Sequence, residues 1–282
     1  MLLTKKVNGV EIAYKDSGFA EGPAIVLYTG WCHDTSLYAG VVPYLATKYR
    51  VIEMNWRAHG PNRDPIPDFG VEEQFQDSAG LLEQLEVDQF YIISHSHGGW
   101  VALETADRLG RGRVLGVLMI DQIMTNPPPG FATDLQGMQT KTTWRAARKS
   151  LFDDWLPPTC SSVDISSSSK PVQDHIVYSL SSFGFDLWSL SCRVIYGAYS
   201  AHGSPMGRMK KMAAGSPSMP PIRHVFSHPL DKPSYRQLHV DFARENPWFS
   251  WCDLQGQTHF PSLELPGKVA EQLEEVIKLS SR

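Results

Sequence analysis

The stretch Tyr91-Ile92-Ile93-Ser94-His95-Ser96-His97-Gly98-Gly99-Trp100 decides how this chain folds. It opens as a short apolar run, the pattern of a buried parallel strand. Gly98-Gly99 and the following Val101-Ala102-Leu103-Glu104-Thr105-Ala106 read as a helix. Between strand and helix stands Ser96, with small residues at Ser94 and Gly98. Small-x-Ser-x-Gly is the pattern of a tight strand-to-helix turn that presents one side chain at the top of a sheet. The small flanks are needed because backbones pack closely around a strained turn. The first small residue is Ser, not Gly, and His occupies both positions beside Ser96. An acyl nucleophile does not need two flanking imidazoles, which points this turn towards another chemistry.

Working outward, strands alternate with helices. Val7 to Tyr14 reads as a hairpin around Asn8-Gly9. Ala24-Ile25-Val26-Leu27-Tyr28 is a continuous apolar strand, followed by the loop Thr29-Gly30-Trp31-Cys32-His33-Asp34 and an expected helix through Leu45. Tyr49 to Met54 is the next strand and ends in the loop Asn55-Trp56-Arg57-Ala58-His59-Gly60. Phe75 to Leu85 has helical spacing, and Val114 to Ile120 is a strand closed by Asp121. Such alternation predicts a mostly parallel sheet with right-handed crossovers. From Asn126 to about Leu190 the pattern breaks into helical segments, such as Thr142 to Trp155, and a Ser-rich loop. The expected organisation is an α/β core over 1–125 and 191–282, with a helical cap over 126–190 inserted after a core strand. Strands resume at Pro221 to Phe226 and Trp248 to Leu254, and a last helix runs from Pro266 to Leu279.

The chain has 282 residues, 42% hydrophobic, enough for one large domain or a core plus a cap. Net charge is -4 with no basic block, so neither nucleic acid nor an anionic membrane is an expected partner. Cys32, Cys160, Cys192 and Cys252 are widely spaced and form no C-x-x-C pair, which argues against a zinc site or a disulfide framework. No apolar run approaches the ~18 residues of a membrane span, and no signal region follows the N-terminus, so a cytoplasmic protein is expected.

The order Ser96, Asp121, His259 matches the Ser…Asp…His order of α/β-hydrolases. Each falls at the expected C-terminal end of a strand, where side chains meet over an open parallel sheet. Asp231 is the alternative acid, one strand later; Asp121 is favoured because Leu118-Met119-Ile120 aims it at the site.

Longer stretches carry a resemblance: Gly30-Trp31-Cys32-His33-Asp34, Asn55-Trp56-Arg57-Ala58-His59-Gly60, Ser94 to Trp100, Leu151 to Leu156, Gly203-Ser204-Pro205-Met206, Ile222 to Ser227, Pro247 to Ser250 and Thr258-His259-Phe260-Pro261. The chain resembles the cofactor-independent 2,4-dioxygenases of the 3-hydroxy-4-oxoquinoline and 3-hydroxy-4-oxoquinaldine type, an offshoot of the α/β-hydrolase fold. The resemblance implies a small aromatic N-heterocyclic substrate, O2 as co-substrate, and no metal or flavin. A 3-hydroxy-4(1H)-quinolone is deprotonated at its 3-hydroxyl and reacts with O2 at carbon 2. The peroxide attacks the C4 carbonyl, and the ring opens to an N-acylanthranilate with loss of carbon monoxide. His259 is then the base and Asp121 its orienting carboxylate. The resemblance puts Ser96, His95, His97, His33, Trp31 and Trp155 around the substrate, Ser96 as a hydrogen-bonding group. The backbone N–H groups of Trp31 and His97 are candidate donors to the C4 oxygen.

Plainer readings exist for each residue. Ser96-His259-Asp121 is also the triad of a serine hydrolase, and a ligand-binding relative would hold the quinolone without consuming O2. His33, His95 and His97 as metal ligands are disfavoured, because residues flanking a sharp turn diverge and no carboxylate completes the set. His33 is alternatively a cap for the following helix, and Trp155 a core residue of the cap. His175, His202, His224, His228 and His239 carry no functional signal in the sequence.

Overall fold

The computed structural model describes residues 1–19, 21–61, 68–154, 168–216, 218–227 and 232–281. Its centre is an eight-stranded sheet: β1 (Leu3–Val7), β2 (Val10–Gly18), β3 (Ala24–Tyr28), β4 (Arg50–Met54), β5 (Phe90–His95), β6 (Val114–Ile120), β7 (Ile222–Phe226) and β8 (Phe249–Asp253). The order is β1-β2-β4-β3-β5-β6-β7-β8. β1 and β2 form the expected hairpin, and β2 runs antiparallel to β4. All later pairings are parallel.

Strand periodicity builds two cores. Ile25, Leu27, Tyr91, Ile93, Leu118 and Ile120 face one side, against α11 (Pro266–Ser280) and helices that lie between β6 and β7. Ala24, Val26, Ile92, Val117, Met119 and Ile222 face the other. There they meet α2 (Val71–Gln84), α3 (Gly98–Leu109), and two later helices through Met209 and Phe242. β3 and β5 are buried along their whole length, β3 as an unbroken apolar run and β5 as one that ends in the buried Ser94 and His95.

Two expectations about helices need correction. The helix expected through Leu45 is a 3₁₀ turn at Thr35–Tyr38 and then one short turn, α1 (Val42–Leu45). Pro43 has no N–H for a continuous ladder through this segment. α2 starts before Phe75, at Val71, because Glu73 Oε2 accepts the Gly70 N–H at 2.7 Å and fixes an earlier start.

Between β6 and β7 the described chain is helical: α4 (Pro129–Gly137), α5 (Trp144–Asp154), α6 (Lys170–Tyr178), α7 (Phe185–His202) and α8 (Pro205–Gly215). The expected cap, 126–190, lies within this run, and its far boundary falls inside α7. α9 (Lys232–Glu245) and α10 (Pro261–Glu264) complete the fold. Trp155, most of the Ser-rich loop and Asp231 lie outside the described residues. Among the described residues no helix is long and apolar enough to cross a membrane.

The turn after β5 has the geometry its sequence predicts. Ser96 is left-handed at φ +49°, and its N–H donates to the Ile120 carbonyl at 2.7 Å. A Cβ at Gly98 would lie 2.4 Å from the Thr29 carbonyl oxygen, so a larger residue forces backbone apart. Gly98→Ala should therefore cost about 1–3 kcal/mol. Gly197, exposed within α7 with open space beside it, should behave oppositely, and Gly197→Ala should gain about 0.5–1 kcal/mol. Urea unfolding midpoints of both variants check the pair.

Candidate active site

Ser96, Asp121 and His259 converge on one cavity, whose polar side also includes Trp31, His33 and His97. Each comes from a loop at the C-terminal edge of the sheet, where the sequence places it. Asp121 is left-handed at φ +48°, a conformation that Asp tolerates better than most residues. Its N–H donates to the Val225 carbonyl at 2.8 Å, locking the end of β6 to β7.

The Asp121 carboxylate is buried and compensated. Oδ1 accepts the Ser227 N–H at 2.8 Å, and Oδ2 lies 3.1 Å from Ser227 Oγ. His259 Nδ1 is 3.7 Å from Oδ2, an ion-pair distance that orients the ring once it carries a proton. Ser227 ends a stretch that carries the resemblance, but its contact with Asp121 was not legible because it depends on β7 lying beside β6.

Ser96 Oγ is 3.2 Å from His97 Nδ1, and no hydrogen bond joins it to His259. His97 stacks on Phe131 at 5.6 Å between ring centroids. Burial, and then nearby His259, push its pKa down to about 3, so the ring is neutral. Among the described residues no protein acceptor takes the backbone N–H of Trp31 or His97, and both residues line the cavity.

His95 is the exception among the expected cavity residues. It is fully buried behind the cavity, and its Nε2–H donates to the His259 carbonyl at 2.7 Å. Its ring packs 4.5 Å from that of His259. This places His95 as a support for the His259 loop. Strand parity explains its position, since His95 shares the face of Ile93 and Tyr91.

The neighbouring loops are braces. His59 Nε2 accepts the Cys32 N–H at 2.9 Å, and Trp56 Nε1–H donates to the Thr29 carbonyl at 2.8 Å. The 3₁₀ turn after His33 is capped by Asp34, whose carboxylate accepts the Ser36 N–H at 3.0 Å. His33 is thus free of the capping role and lines the cavity.

A family model described as the alpha/beta hydrolase fold matches residues 23–204. Over 272 residues the chain is 46% identical to the 2-heptyl-3-hydroxy-4(1H)-quinolone dioxygenase of Mycobacteroides abscessus, covering 96% of each. It is 34% identical to the 1H-3-hydroxy-4-oxoquinoline 2,4-dioxygenase of Pseudomonas putida, covering 96% of this chain and 98% of that one. The chain belongs to the 3-hydroxy-4-quinolone dioxygenase family. A solved structure of an AqdC variant with its substrate, described as the basis for recognition and ring cleavage of the Pseudomonas quinolone signal, superposes with a TM-score of 0.90. Identity to it is 44%, over 99% of both chains.

The site of this quinolone dioxygenase relative is rich in imidazoles that burial holds neutral. His33 and His95 are pushed well below the ordinary histidine value, first by desolvation and then by neighbouring rings. An unfolded chain protonates these rings near 6.5, while the folded one does not, so folding loses stability as pH falls below that value. For His97, protonated when folded only near about 3, the loss at pH 5 is about 2 kcal/mol. The urea midpoint should fall steadily from pH 7 to pH 5, and a flat profile would mean that these rings are not buried neutral.

Proposed function

We propose that this chain cleaves 3-hydroxy-4(1H)-quinolones bearing an alkyl chain at carbon 2, using O2 and neither metal nor flavin. The observation that carries this reading is a cavity with one carboxylate-paired imidazole, His259, at its polar side and apolar walls from the cap. Leu135, Leu151, Leu180, Trp188 and Ile195 line those walls, and Phe131 adds an aromatic face. We infer that the helices between β6 and β7 act as the cap that keeps water out. An alkyl chain suits such walls, and the 2-heptyl substrate in the Mycobacteroides relative's name supports it.

In the proposed reaction His259 takes the proton of the 3-hydroxyl, and Asp121 stabilises the imidazolium. The dry cavity keeps the resulting anion reactive. The anion donates an electron to O2, and a bond forms between oxygen and carbon 2. The distal peroxide oxygen attacks carbon 4, where the N–H groups of Trp31 and His97 meet the developing charge. The bonds from carbon 3 to carbons 2 and 4 then break with the O–O bond. Carbon 3 leaves with its own oxygen as carbon monoxide, and N-acylanthranilate stays behind. Ser96 is a hydrogen-bonding partner in this scheme, in keeping with its contact to His97 rather than to His259.

Purified protein treated with a chelator should consume O2 and release carbon monoxide from 2-heptyl-3-hydroxy-4(1H)-quinolone. Activity lost on chelation and restored by iron would overturn the cofactor-free scheme. Ser96→Ala should lose about 1–2 kcal/mol of transition-state stabilisation, the scale of one hydrogen bond. A loss on the order of 10⁶ in rate would mark Ser96 as a covalent nucleophile. His259→Ala should be severely impaired near neutral pH and recover in part as pH rises, because the substrate hydroxyl then ionises unaided. A deficit equal at every pH would place His259 after deprotonation.

A further inference from the structure

His33 reaches the cavity, yet it is tied to a chain of groups that leads away from it. His33 Nδ1 is 2.8 Å from Nε2 of His175, a residue of α6. His175 Nδ1 is 2.9 Å from Ser36 Oγ, and Ser36 Oγ donates to Asp34 Oδ1 at 2.5 Å. His175 is 3% exposed, whereas Ser36 is at the surface. The His33 and His175 rings stack at 5.1 Å, and both lie against Phe260.

The direction of each bond follows from its outer end. A carboxylate accepts and does not donate, so the Ser36 hydroxyl hydrogen points at Asp34. Ser36 Oγ then accepts from His175, which puts the His175 proton on Nδ1. A neutral imidazole with its proton on Nδ1 has a lone pair on Nε2. Burial holds His175 neutral, at about 4, even with Asp34 pulling the other way. His33 must therefore donate from Nδ1, and its own lone pair falls on Nε2. Among the described residues that Nε2 has no hydrogen-bond partner.

We propose that His175 is a positioning residue: with Ser36 and Asp34 it fixes His33 as the Nδ1–H tautomer, so that His33 Nε2 accepts a hydrogen bond from bound substrate. This rests on the quinolone reading for the identity of the ligand, but not for the tautomer. With the opposite tautomer, His33 would present an N–H to the cavity in place of a lone pair. The chain crosses from the loop after β3 to α6, so seating α6 and setting the tautomer of His33 are one event.

Nitrogen-15 NMR of the ring nitrogens in the whole protein reads the tautomer directly, with His33 assigned by loss of its signals in His33→Gln. Wild type should show a protonated Nδ1 and an unprotonated Nε2 at His33. In His175→Phe that preference should vanish. KM for 2-heptyl-3-hydroxy-4(1H)-quinolone should rise about tenfold, the scale of one hydrogen bond, with kcat changed by less than about twofold. His175→Gln, whose amide oxygen accepts from His33 Nδ1–H, should restore both. A proton on Nε2 in wild type, or wild-type shifts and KM in His175→Phe, would overturn the proposal. Should His175→Phe fail to fold, Ser36→Ala at the exposed end should still mix the His33 tautomers, and unchanged shifts there would overturn it as well. A wild type that shows the Nδ1–H tautomer but takes up no O2 with any quinolone would refute the proposed activity and leave the relay standing.

Discussion

A buried carboxylate is costly unless donors surround it, and Asp121 is the point on which the site depends. Its charge is met by the Ser227 N–H and the ring of His259, with the Ser227 hydroxyl shared between Oδ2 and the Thr258 carbonyl. Three parts of the chain must therefore meet at one place: the end of β6, the end of β7 and the loop after β8. Asp121 accepts a left-handed backbone to make this possible. The strained turn at Ser96 is tied to the same point, because its N–H bonds to the residue before Asp121. A fold that satisfies Asp121 has thereby placed His259 and Ser96 over the same cavity.

Around that carboxylate the site is made of imidazoles kept neutral by mutual burial. His33, His95 and His97 are all pushed down by desolvation, and each added positive charge would repel the others. His259 is the imidazole of this group beside a carboxylate, which in the proposed reaction makes it the acceptor of the substrate's proton. The neutral rings serve as hydrogen-bonding and packing surfaces. His95 holds the His259 carbonyl, His97 stacks on Phe131, and His33 joins the relay through His175.

Much of this was legible in the sequence where local pattern carries the signal. The strand before Ser96, the small flanks of its turn and the Asp at the end of the next strand follow from periodicity and from backbone crowding. Side-chain partners across elements were not legible. Ser227 matters because β7 pairs with β6, and His175 because α6 lies over the loop after β3; neither contact leaves a trace along the chain. His95 was readable in principle, since its parity with Ile93 turns it away from Ser96. The broken segment before Leu45 also had its signal, in Pro43. Trp155 and Asp231, the alternative acid, lie outside the described residues, and among those described Asp121 stands 3.7 Å from His259 Nδ1.

Whether the Ser96 turn serves oxygen chemistry or acyl transfer is decided most directly by the source of the oxygen atoms in the product. Under ¹⁸O₂, with unlabelled water, attack at carbon 2 followed by closure on carbon 4 predicts two labelled oxygens in the N-acylanthranilate. One sits in the amide carbonyl and one in the carboxylate, while the carbon monoxide is unlabelled. Mass spectrometry of the product reads this in a single turnover. Label entering from H₂¹⁸O instead of ¹⁸O₂, with no carbon monoxide formed, would contradict the dioxygenase reading and return Ser96, Asp121 and His259 to a hydrolytic triad.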